Sequence, residues 1–246
     1  MSESLPDLEI IGQLEHASNG TYLTRLAEVL YVYKPVSGEQ ELWDFPTGSL
    51  ANRERAAYVL DQLLGWNLVP TTNLVTGPLG LGSLQNWVEA DPGLVDIFSP
   101  SEIPDGWFNI LSGLDEQGKQ VTLAHSAEPR LAQLAVLDVI MNNADRKAGH
   151  ILVEEGNEIF AIDHGVTFHE EFKLRTVLWG WIKSPIAPGL IDDLSRVIAL
   201  IPESELAELL SPSEIEALLQ RIDSLIYTAV FPEPSAQWPS VPWPIF

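Results

Sequence analysis

The stretch that most constrains the fold is residues 136–166, which combine the end of a helix, a polar loop and two short β-prone runs. Apolar side chains recur at helical spacing up to Met141, and residues that favour turns then end the pattern. The runs 151–153 and 159–162 flank an acidic turn that contains a glycine. The stretch therefore predicts a helix followed by a β-hairpin.

Two aspartates lie at the two ends of this predicted hairpin. Asp145 precedes the first strand and Asp163 follows the second, so both carboxylates are expected at the same end of the hairpin. One acid can then position a nucleophile while the other holds a metal ion on a phosphate chain. The pattern therefore favours a phosphoryl-transfer site around Asp145 and Asp163.

The segments 145–152 (DRKAGHIL) and 162–165 (IDHG) resemble the catalytic and metal-binding loops of the phosphatidylinositol 3- and 4-kinase-like fold. Those loops read Asp-Arg-His-x-x-Asn and Asp-Phe-Gly, and HipA-type bacterial kinases share the plan. Residues 10–181 resemble an actinobacterial family of phosphatidylinositol-kinase-like proteins. The resemblance implies an α+β, two-lobed protein-kinase-like fold with a small β-rich lobe and a mainly helical lobe. It also implies an ATP-dependent phosphotransferase that uses Mg²⁺ or Mn²⁺.

Three regions follow from this resemblance. We expect a small lobe at residues 1–89 that grips the nucleotide phosphates, a large lobe at 90–230 with the catalytic and metal loops, and a tail at 231–246. The tail is rich in proline and tryptophan, so it should be extended, either packed along the surface or available to a partner. Prolines and a glycine break up any regular pattern in residues 91–129. We therefore predict a loop with one short helix and a hairpin there.

A polar tip at residues 16–20 separates two β-prone runs in the predicted small lobe. Small side chains allow backbone amides to approach an anion, so Ser18 and Asn19 are candidate contacts to the nucleotide phosphates. An ordinary hairpin turn is the alternative interpretation of this tip.

Lys34 ends the next β-prone run, and the resemblance assigns it to the α- and β-phosphates. The pattern of residues 49–64 predicts a helix that carries Glu54, with Ser49 as its cap and Gly65 directly after its end. The family plan pairs Glu54 with the lysine. The alternatives are a solvated lysine at a strand end and a glutamate that balances its neighbours Arg53 and Arg55.

Two further β-prone runs surround a glycine-rich turn at residues 77–80 and predict the last strands of the small lobe. The second run leads into the connection between the lobes, whose backbone meets the adenine edge in the family plan. We expect that contact between Gln85 and Val88, with Gln85 and Trp87 as candidate nucleotide-binding residues.

The resemblance gives four residues of the second half of the chain a role in catalysis or metal binding. Asp145 orients or deprotonates the acceptor hydroxyl, and Arg146 supports the loop by pairing with nearby carboxylates or carbonyls. Asp163 holds a metal ion between the β- and γ-phosphates. His150 replaces the asparagine that binds the second ion, although Mg²⁺ prefers oxygen ligands. Either His150 contacts phosphate, or one ion is lost or replaced, for example by Mn²⁺.

Three other functions stay open at this point. The histidine at position 150 is compatible with a pseudokinase that binds nucleotide or a partner without catalysis. Relatives of the fold transfer AMP instead of phosphate. A metal site built from His150, Asp163, His164 and His169 would hydrolyse a substrate without ATP, although their spacing matches no tight metal-binding motif.

Residues 168–185 occupy the position where a kinase of this class meets its acceptor. Lys173, Arg175 and Lys183 lie here beside a pair of tryptophans, a combination that suits an anionic or aromatic substrate. The alternative is that the tryptophans pack in the large lobe and the basic side chains point outward. Further along, apolar periodicity predicts a helix that begins with Ser213 as its cap.

The net charge of −22 over 246 residues limits the partners of the chain. It argues against nucleic-acid binding and against adsorption to anionic lipid, because both require clustered basic residues. A small molecule or a protein is therefore favoured over a lipid as the acceptor. Solubility is the simple interpretation of the charge, and attraction to a basic partner protein is the alternative.

The compartment is predicted from what the sequence lacks. It has no cysteine, no apolar run of 18 residues, and an acidic N-terminus. These features predict a cytoplasmic protein without disulfides, a membrane span or a secretory signal.

Overall fold

The computed structural model describes residues 3–14, 19–154 and 158–246 and begins with a six-stranded sheet. Its strand order is β1-β5-β6-β4-β3-β2, and the short β1 is parallel to β5 while the other neighbours are antiparallel. The strands are β1 (Glu3–Ser4), β2 (Glu9–Gln13), β3 (Tyr22–Leu26), β4 (Val29–Pro35), β5 (Thr72–Gly77) and β6 (Gly80–Asn86).

A glycine allows the two central strands of this sheet to approach each other closely beside Lys34. A Cβ atom on Gly82 would lie 2.5 Å from the carbonyl oxygen of Lys34, which no side chain tolerates without movement of the backbone. The close β4–β6 pairing fixes the strand from which Lys34 projects.

Helix α1 (Leu50–Leu64) connects β4 to β5. It ends at Gly65 in the left-handed conformation, as the sequence predicts. Ser49 occupies the N-cap position, but its hydroxyl donates to the carbonyl of Pro46 and does not cap the helix. Five buried apolar residues of α1, from Ala56 to Leu64, belong to the core of the large lobe. The sheet has a separate cluster formed by Leu8, Tyr33, Val75 and Leu84.

After β6 the chain forms strands where the sequence predicts a loop and a short helix. β8 (Val95–Phe98), β9 (Trp107–Leu114) and β10 (Gln120–Ser126) form an antiparallel sheet, and β7 (Asp91–Pro92) pairs with β11 (Ile151–Val153). The predicted hairpin is present as β9–β10, but the helix is wrong. Backbone pairing with β10 and β11 makes strands of segments whose prolines and glycines hide their periodicity.

The rest of the large lobe is mainly helical. Its helices are α2 (Pro129–Met141), α3 (Pro188–Val197), α4 (Leu206–Leu209) and α5 (Pro212–Thr228), and β11 forms the predicted hairpin with β12 (Ile159–Ala161). Nine of the thirteen residues of α2 are buried, and all of them except Asp138 lie in the same core cluster as apolar residues of α1, α3 and α5.

The start of α5 differs from the prediction by two residues. Ser211, not Ser213, is the N-cap: its hydroxyl accepts from the N–H of Glu214, and the Glu214 carboxylate accepts from the N–H of Ser211. Pro212 at the first helical position explains the earlier start, because its missing N–H costs nothing there.

The C-terminal segment, residues 231–246, crosses the large lobe without a helix or a named strand. The carbonyl of Ser240 accepts from the N–H of Thr176 at 3.0 Å and from the indole N–H of Trp179 at 2.8 Å. The carbonyl of Ile245 accepts from the N–H of Ala148 at 2.9 Å. The segment therefore contacts both the loop after Asp145 and the segment around Thr176.

Within the described part of the chain, no helix has the length and apolar character needed to cross a membrane. The boundaries predicted at residues 89 and 230 stay predictions.

Candidate active site

A cleft with a volume of ≈ 350 Å³ lies where the six-stranded sheet faces the β11–β12 hairpin. It brings together six of the residues predicted for the site. They are Lys34, Gln85, Trp87, Asp145, His150 and Asp163.

Lys34 connects the sheet to the hairpin. Its Nζ donates to the carboxylate of Glu54 and, at 2.8 Å, to Oδ1 of Asp163. Burial alone lowers the pKa of the Lys34 ammonium, but the charges of Asp163 and Glu54 outweigh burial and raise it above its ordinary value. Lys34 is therefore positively charged and held between two acids.

Glu54 reaches Lys34 from α1 and does not line the cleft. Its side chain is 3% exposed, and its second oxygen accepts from the N–H of His164 at 3.0 Å. The neighbouring Arg53 donates to the carbonyl of Thr167 and to the carboxylate of Glu214, which fixes α1 against the large lobe. Glu54 therefore positions Lys34 and the loop that follows Asp163.

Asp163 follows β12 with φ at 60°, in the left-handed region that aspartate tolerates better than most residues. Its side chain is 47% exposed to the cleft. Partial desolvation raises the pKa of this carboxyl, but Lys34 and then His150 outweigh it and hold the pKa well below its usual range. Asp163 is consequently a charged carboxylate that faces open space.

Asp145 lies in the loop after α2, and its N–H donates to the side-chain oxygen of Asn143 at 2.9 Å. Lys147 lies beside it, with 3.6 Å between Nζ and Oδ2. Burial raises the pKa of the Asp145 carboxyl above its ordinary value, Lys147 and Arg175 oppose the shift, and the charge of Asp163 adds to it. A raised pKa makes this carboxylate a better proton acceptor near neutral pH.

Arg146 is fully buried beneath the cleft rather than in it. Its guanidinium donates to the carboxylate of Asp138 at 3.0 Å and to the carbonyl of Ile162 at 2.8 Å, and it contacts the ring of His164 at 2.8 Å. These contacts link the loop of Asp145 to the segment that carries Asp163. Arg146 thus pairs with a carboxylate and a carbonyl as predicted, and it is a positioning residue, not a catalytic one, in this geometry.

His150 lines the cleft, with 3.4 Å between its Nε2 and Oδ2 of Asp163. Burial lowers the pKa of its imidazole to about 4, so the ring is neutral near pH 7. Its Nδ1 is buried without a hydrogen-bond partner in the described structure. His150 therefore offers a neutral nitrogen, not a positive charge, next to Asp163.

The alternative metal site for hydrolysis without ATP does not form. His164 is fully buried and contacts Arg146, and His169 contacts the carbonyl of Asp44 at 2.8 Å. Among the residues that the structure describes, no three histidine or acidic side chains are arranged to hold a metal ion. Of the four predicted ligands, only His150 and Asp163 line the cleft together.

Four nucleotide contacts predicted in the small lobe have different surroundings. The amide nitrogen of Gln85 donates to the hydroxyl of Thr72 at 2.8 Å, and the N–H of Trp87 donates to the carbonyl of Leu30 at 3.1 Å. Asn19 lines a second cavity instead of the cleft, and its side-chain oxygen accepts from the N–H of Gln40 at 2.8 Å. Ser18 lies outside the described residues.

This second cavity, of ≈ 290 Å³, adjoins the cleft. The two cavities have only Asp145 and Asp163 in common among their lining residues. The second cavity is otherwise lined by Asn19, by residues between positions 40 and 50, by residues next to the two aspartates, and by one arginine and one tryptophan further along the chain. The residues are Asn19, Gln40, Leu42, Trp43, Asp44, Phe45, Leu50, Ala144, Gly165, Val166, Arg175 and Trp238.

The structure decides part of the choice between substrate binding and core packing for residues 168–185. Trp179 is buried in the core of the large lobe and Trp181 packs against that core, as the packing alternative predicts. Lys173 is nevertheless buried, and Arg175 lines the second cavity. Only Lys183 points outward, with its side chain 68% exposed.

Lys147 and Trp238 are among the lining residues that have no role in the sequence-based hypothesis. Lys147 lies two positions after Asp145, so its place in the loop is the signal that identifies it. Trp238 is in the C-terminal segment, far from either aspartate in sequence, and only the fold brings it to the second cavity.

Comparison with known proteins identifies relatives of this chain. The family model for phosphatidylinositol 3- and 4-kinase matches residues 129–225. Protein Rv2133c of Mycobacterium tuberculosis is 42% identical over 262 residues, covering 98% of this chain and 92% of that protein. Phosphatidylinositol 4-kinase gamma 4 of Oryza sativa subsp. japonica is 29% identical over 163 residues, which cover 57% of this chain and 25% of that protein.

One solved structure shows the same architecture. The crystal structure of the proinflammatory kinase CtkA of Helicobacter pylori matches with a TM-score of 0.50 at 11% identity, covering 94% of this chain and 95% of that chain. The predicted α+β, two-lobed kinase-like fold is confirmed, with the six-stranded sheet in one lobe and most helices in the other.

Proposed function

The chain belongs to the phosphatidylinositol 3- and 4-kinase-like family of bacterial proteins that includes Rv2133c, and we propose from this premise that it transfers the γ-phosphoryl group of ATP to a hydroxyl acceptor. The observation that carries this proposal is the pair of cavities that meet at Asp145 and Asp163. A phosphoryl transfer needs two substrates on opposite sides of one phosphorus atom, and this arrangement supplies a space for each.

The cleft is the nucleotide side in this proposal. Lys34 is the cation that contacts the α- and β-phosphates, because Glu54 and Asp163 hold its charge at the mouth of the hairpin. The adenine edge meets the chain after Trp87, since the N–H of Trp87 already donates within the protein. Leu14, Val32 and Leu152 supply apolar surface for the purine.

The donor set at Asp163 fits one Mg²⁺ ion. Mg²⁺ is bound by one or two carboxylates together with substrate phosphates and water, and Asp163 provides one charged, half-exposed carboxylate. When bound, Mg²⁺ neutralises charge on the β- and γ-phosphates. His150 brings a neutral nitrogen where the family has an oxygen ligand. Asp163 would therefore hold the ion, and His150 would orient the Asp163 carboxylate through their contact.

The transfer step needs one proton acceptor, and Asp145 supplies it. The acceptor oxygen bonds to the γ-phosphorus as the bond from that phosphorus to the β-phosphate oxygen breaks, so ADP leaves. The hydroxyl proton passes to the carboxylate of Asp145, which is within reach of both cavities. Lys34 stays on the phosphates throughout and offsets their charge.

Two aspartate variants test this proposal with opposite expectations. Calorimetric titration of ATP with Mg²⁺ should show metal-dependent binding to the wild type and its loss in Asp163→Asn. Asp145→Asn should keep ATP binding and reduce ADP formation by about 10²–10⁴-fold, the range for loss of a general base. An exposed carboxylate variant, Glu9→Gln, is the matched control and should behave as the wild type.

Three results would contradict the proposal. Absence of ATP binding with either Mg²⁺ or Mn²⁺ rejects nucleotide use altogether. If the wild type and Asp145→Asn both bind ATP and neither forms ADP, the protein is a pseudokinase. The presence of only one metal-binding carboxylate, Asp163, is the observation that favours this second function. A product whose mass increases by one AMP group instead of one phosphoryl group assigns AMP transfer.

A further inference from the structure

We infer that the second cavity takes a small, ring-shaped hydroxy acid, whose hydroxyl meets Asp145 and whose anionic group meets Arg175. The inference rests on the proposed function, because it names the acceptor of the same transfer. It follows from the walls of the cavity, its one cation and its size.

Two tryptophan side chains from distant parts of the sequence contribute aromatic surface to the cavity. Trp43 comes from the loop after β4 and Trp238 from the C-terminal segment, and both line the cavity. Flat aromatic faces suit a ring-shaped ligand, because they contact it over a large area at little cost in conformational entropy.

A buried lysine lies against both tryptophans. Lys173 donates to the carboxylate of Asp44 at 2.6 Å, and its ammonium lies 4.7 Å from the ring centre of Trp43 and 5.0 Å from that of Trp238. Both charged side chains are largely buried, at 3% and 12% exposed. The charge of Asp44 is therefore offset, and both tryptophan rings contact the same ammonium, Trp43 from a position that is 86% exposed.

Arg175 is the only basic residue among the described residues that line this cavity. Its Nε donates to the carbonyl of Ala144, its N–H donates to the carbonyl of Asn143 at 2.9 Å, and its carbonyl accepts from the N–H of Arg146 at 3.0 Å. The backbone around Asp145 thus fixes the guanidinium beside the catalytic loop. A guanidinium in a fixed orientation recognises carboxylate and phosphate groups.

The size and the charge of the site separate three kinds of acceptor. A volume of ≈ 290 Å³ is at the lower end for small-molecule pockets, so it suits a metabolite rather than a lipid chain. A net charge of −22 disfavours an anionic membrane. The anion that Arg175 recognises is therefore part of a small soluble molecule.

The test compares ring hydroxy acids with a neutral ring. ADP formation is measured with ATP and Mg²⁺ for shikimate, quinate and glucuronate as acids, and for myo-inositol as the neutral polyol. We expect at least one acid to exceed the polyol by about tenfold or more in kcat/KM. A serine-containing peptide and vesicles of phosphatidylinositol test the two other acceptor classes and should give no ADP above background.

Variants distinguish recognition from catalysis. If Arg175 binds the acceptor anion, Arg175→Gln reduces the preference for the acid to within about threefold, whereas a role on the γ-phosphate lowers both rates equally. Trp238→Ala should raise KM for both rings by about tenfold or more. Trp243→Ala, whose side chain is 84% exposed in the same segment, and Arg25→Gln are the matched controls and should leave KM unchanged.

The outcomes separate this inference from the proposed function. Wild type that binds ATP but uses only peptide or vesicles, or that prefers the neutral ring, overturns the acceptor class alone. An acid preference that survives Arg175→Gln overturns the role of Arg175. If ATP does not bind, tryptophan fluorescence still reports the cavity: quenching by an acid that disappears in Trp238→Ala supports the site, and no quenching overturns it.

Discussion

Asp145 and Asp163 line both cavities, yet their surroundings shift the two carboxyl pKa values in opposite directions. Lys34 keeps Asp163 charged, whereas burial raises the pKa of Asp145. Such a difference suits one group that holds a metal ion and another that accepts a proton. The two residues are thus chemically distinct although they lie side by side.

The raised pKa of Asp145 predicts the acid limb of the activity. Protonation removes its ability to accept the hydroxyl proton, so kcat/KM should fall as pH drops through the pKa of Asp145. That midpoint should lie above 3.8, the ordinary value for aspartate. A pH–rate profile with circular dichroism at each pH measures it, and full activity in folded protein at pH 4 would contradict the assignment.

Six of the fifteen described residues that line the cleft could be predicted from sequence, including its two aspartates, but the second cavity could not. Asp145, Asp163 and Lys34 stand in recognisable local patterns. Glu54 lies 20 residues after Lys34, on a predicted helix whose apolar residues recur at helical spacing. Trp238 has no such pattern, because only tertiary packing of the C-terminal segment brings it beside Arg175. Arg146 was placed in the right loop, yet its burial shows only in the fold.

At the scale of elements, the predicted β-hairpin and the end of α1 at Gly65 are confirmed by the structure. Both have strong local signals, namely alternating β-prone runs around a turn and a glycine after a periodic helix. The sheet of β8, β9 and β10 was predicted only in part. Its strands depend on pairing across the chain, which local periodicity does not contain.

The capping box of α5 gives a prediction with a control two residues away. Ser211→Ala removes the hydroxyl that accepts from the N–H of Glu214, so the free energy of unfolding should fall by about 1 kcal/mol. Ser213→Ala should change it by much less, because Ser213 is not the cap. Urea unfolding of both variants measures the difference, and equal losses would reject the assignment of the cap.

For the whole molecule, the net charge of −22 predicts how stability depends on salt. Like charges repel in the folded chain, and salt screens them over roughly 10 Å at 0.1 M. Raising NaCl from about 10 to about 150 mM should therefore raise Tm by about 2–4 °C, which corresponds to roughly 1 kcal/mol in a chain of this size. Differential scanning calorimetry measures the shift.

Choline chloride is the control for this salt effect. An equal rise in Tm with choline assigns the effect to screening, whereas a rise with Na⁺ alone points to a specific ion site. A constant or lower Tm would mean that the ion pairs of the fold outweigh the repulsion. Attraction to a basic partner protein stays a prediction that the fold does not test.

Helix α1 places five of its buried apolar residues in the core of the large lobe, while the sheet has a hydrophobic cluster of its own. Moving the sheet away from α1 would therefore break the ion pair of Lys34 with Glu54 and the hydrogen bond from Arg55 to Thr72, and leave each cluster within its own lobe. A bound triphosphate with its counterion would offset the lost ion pair at the same lysine.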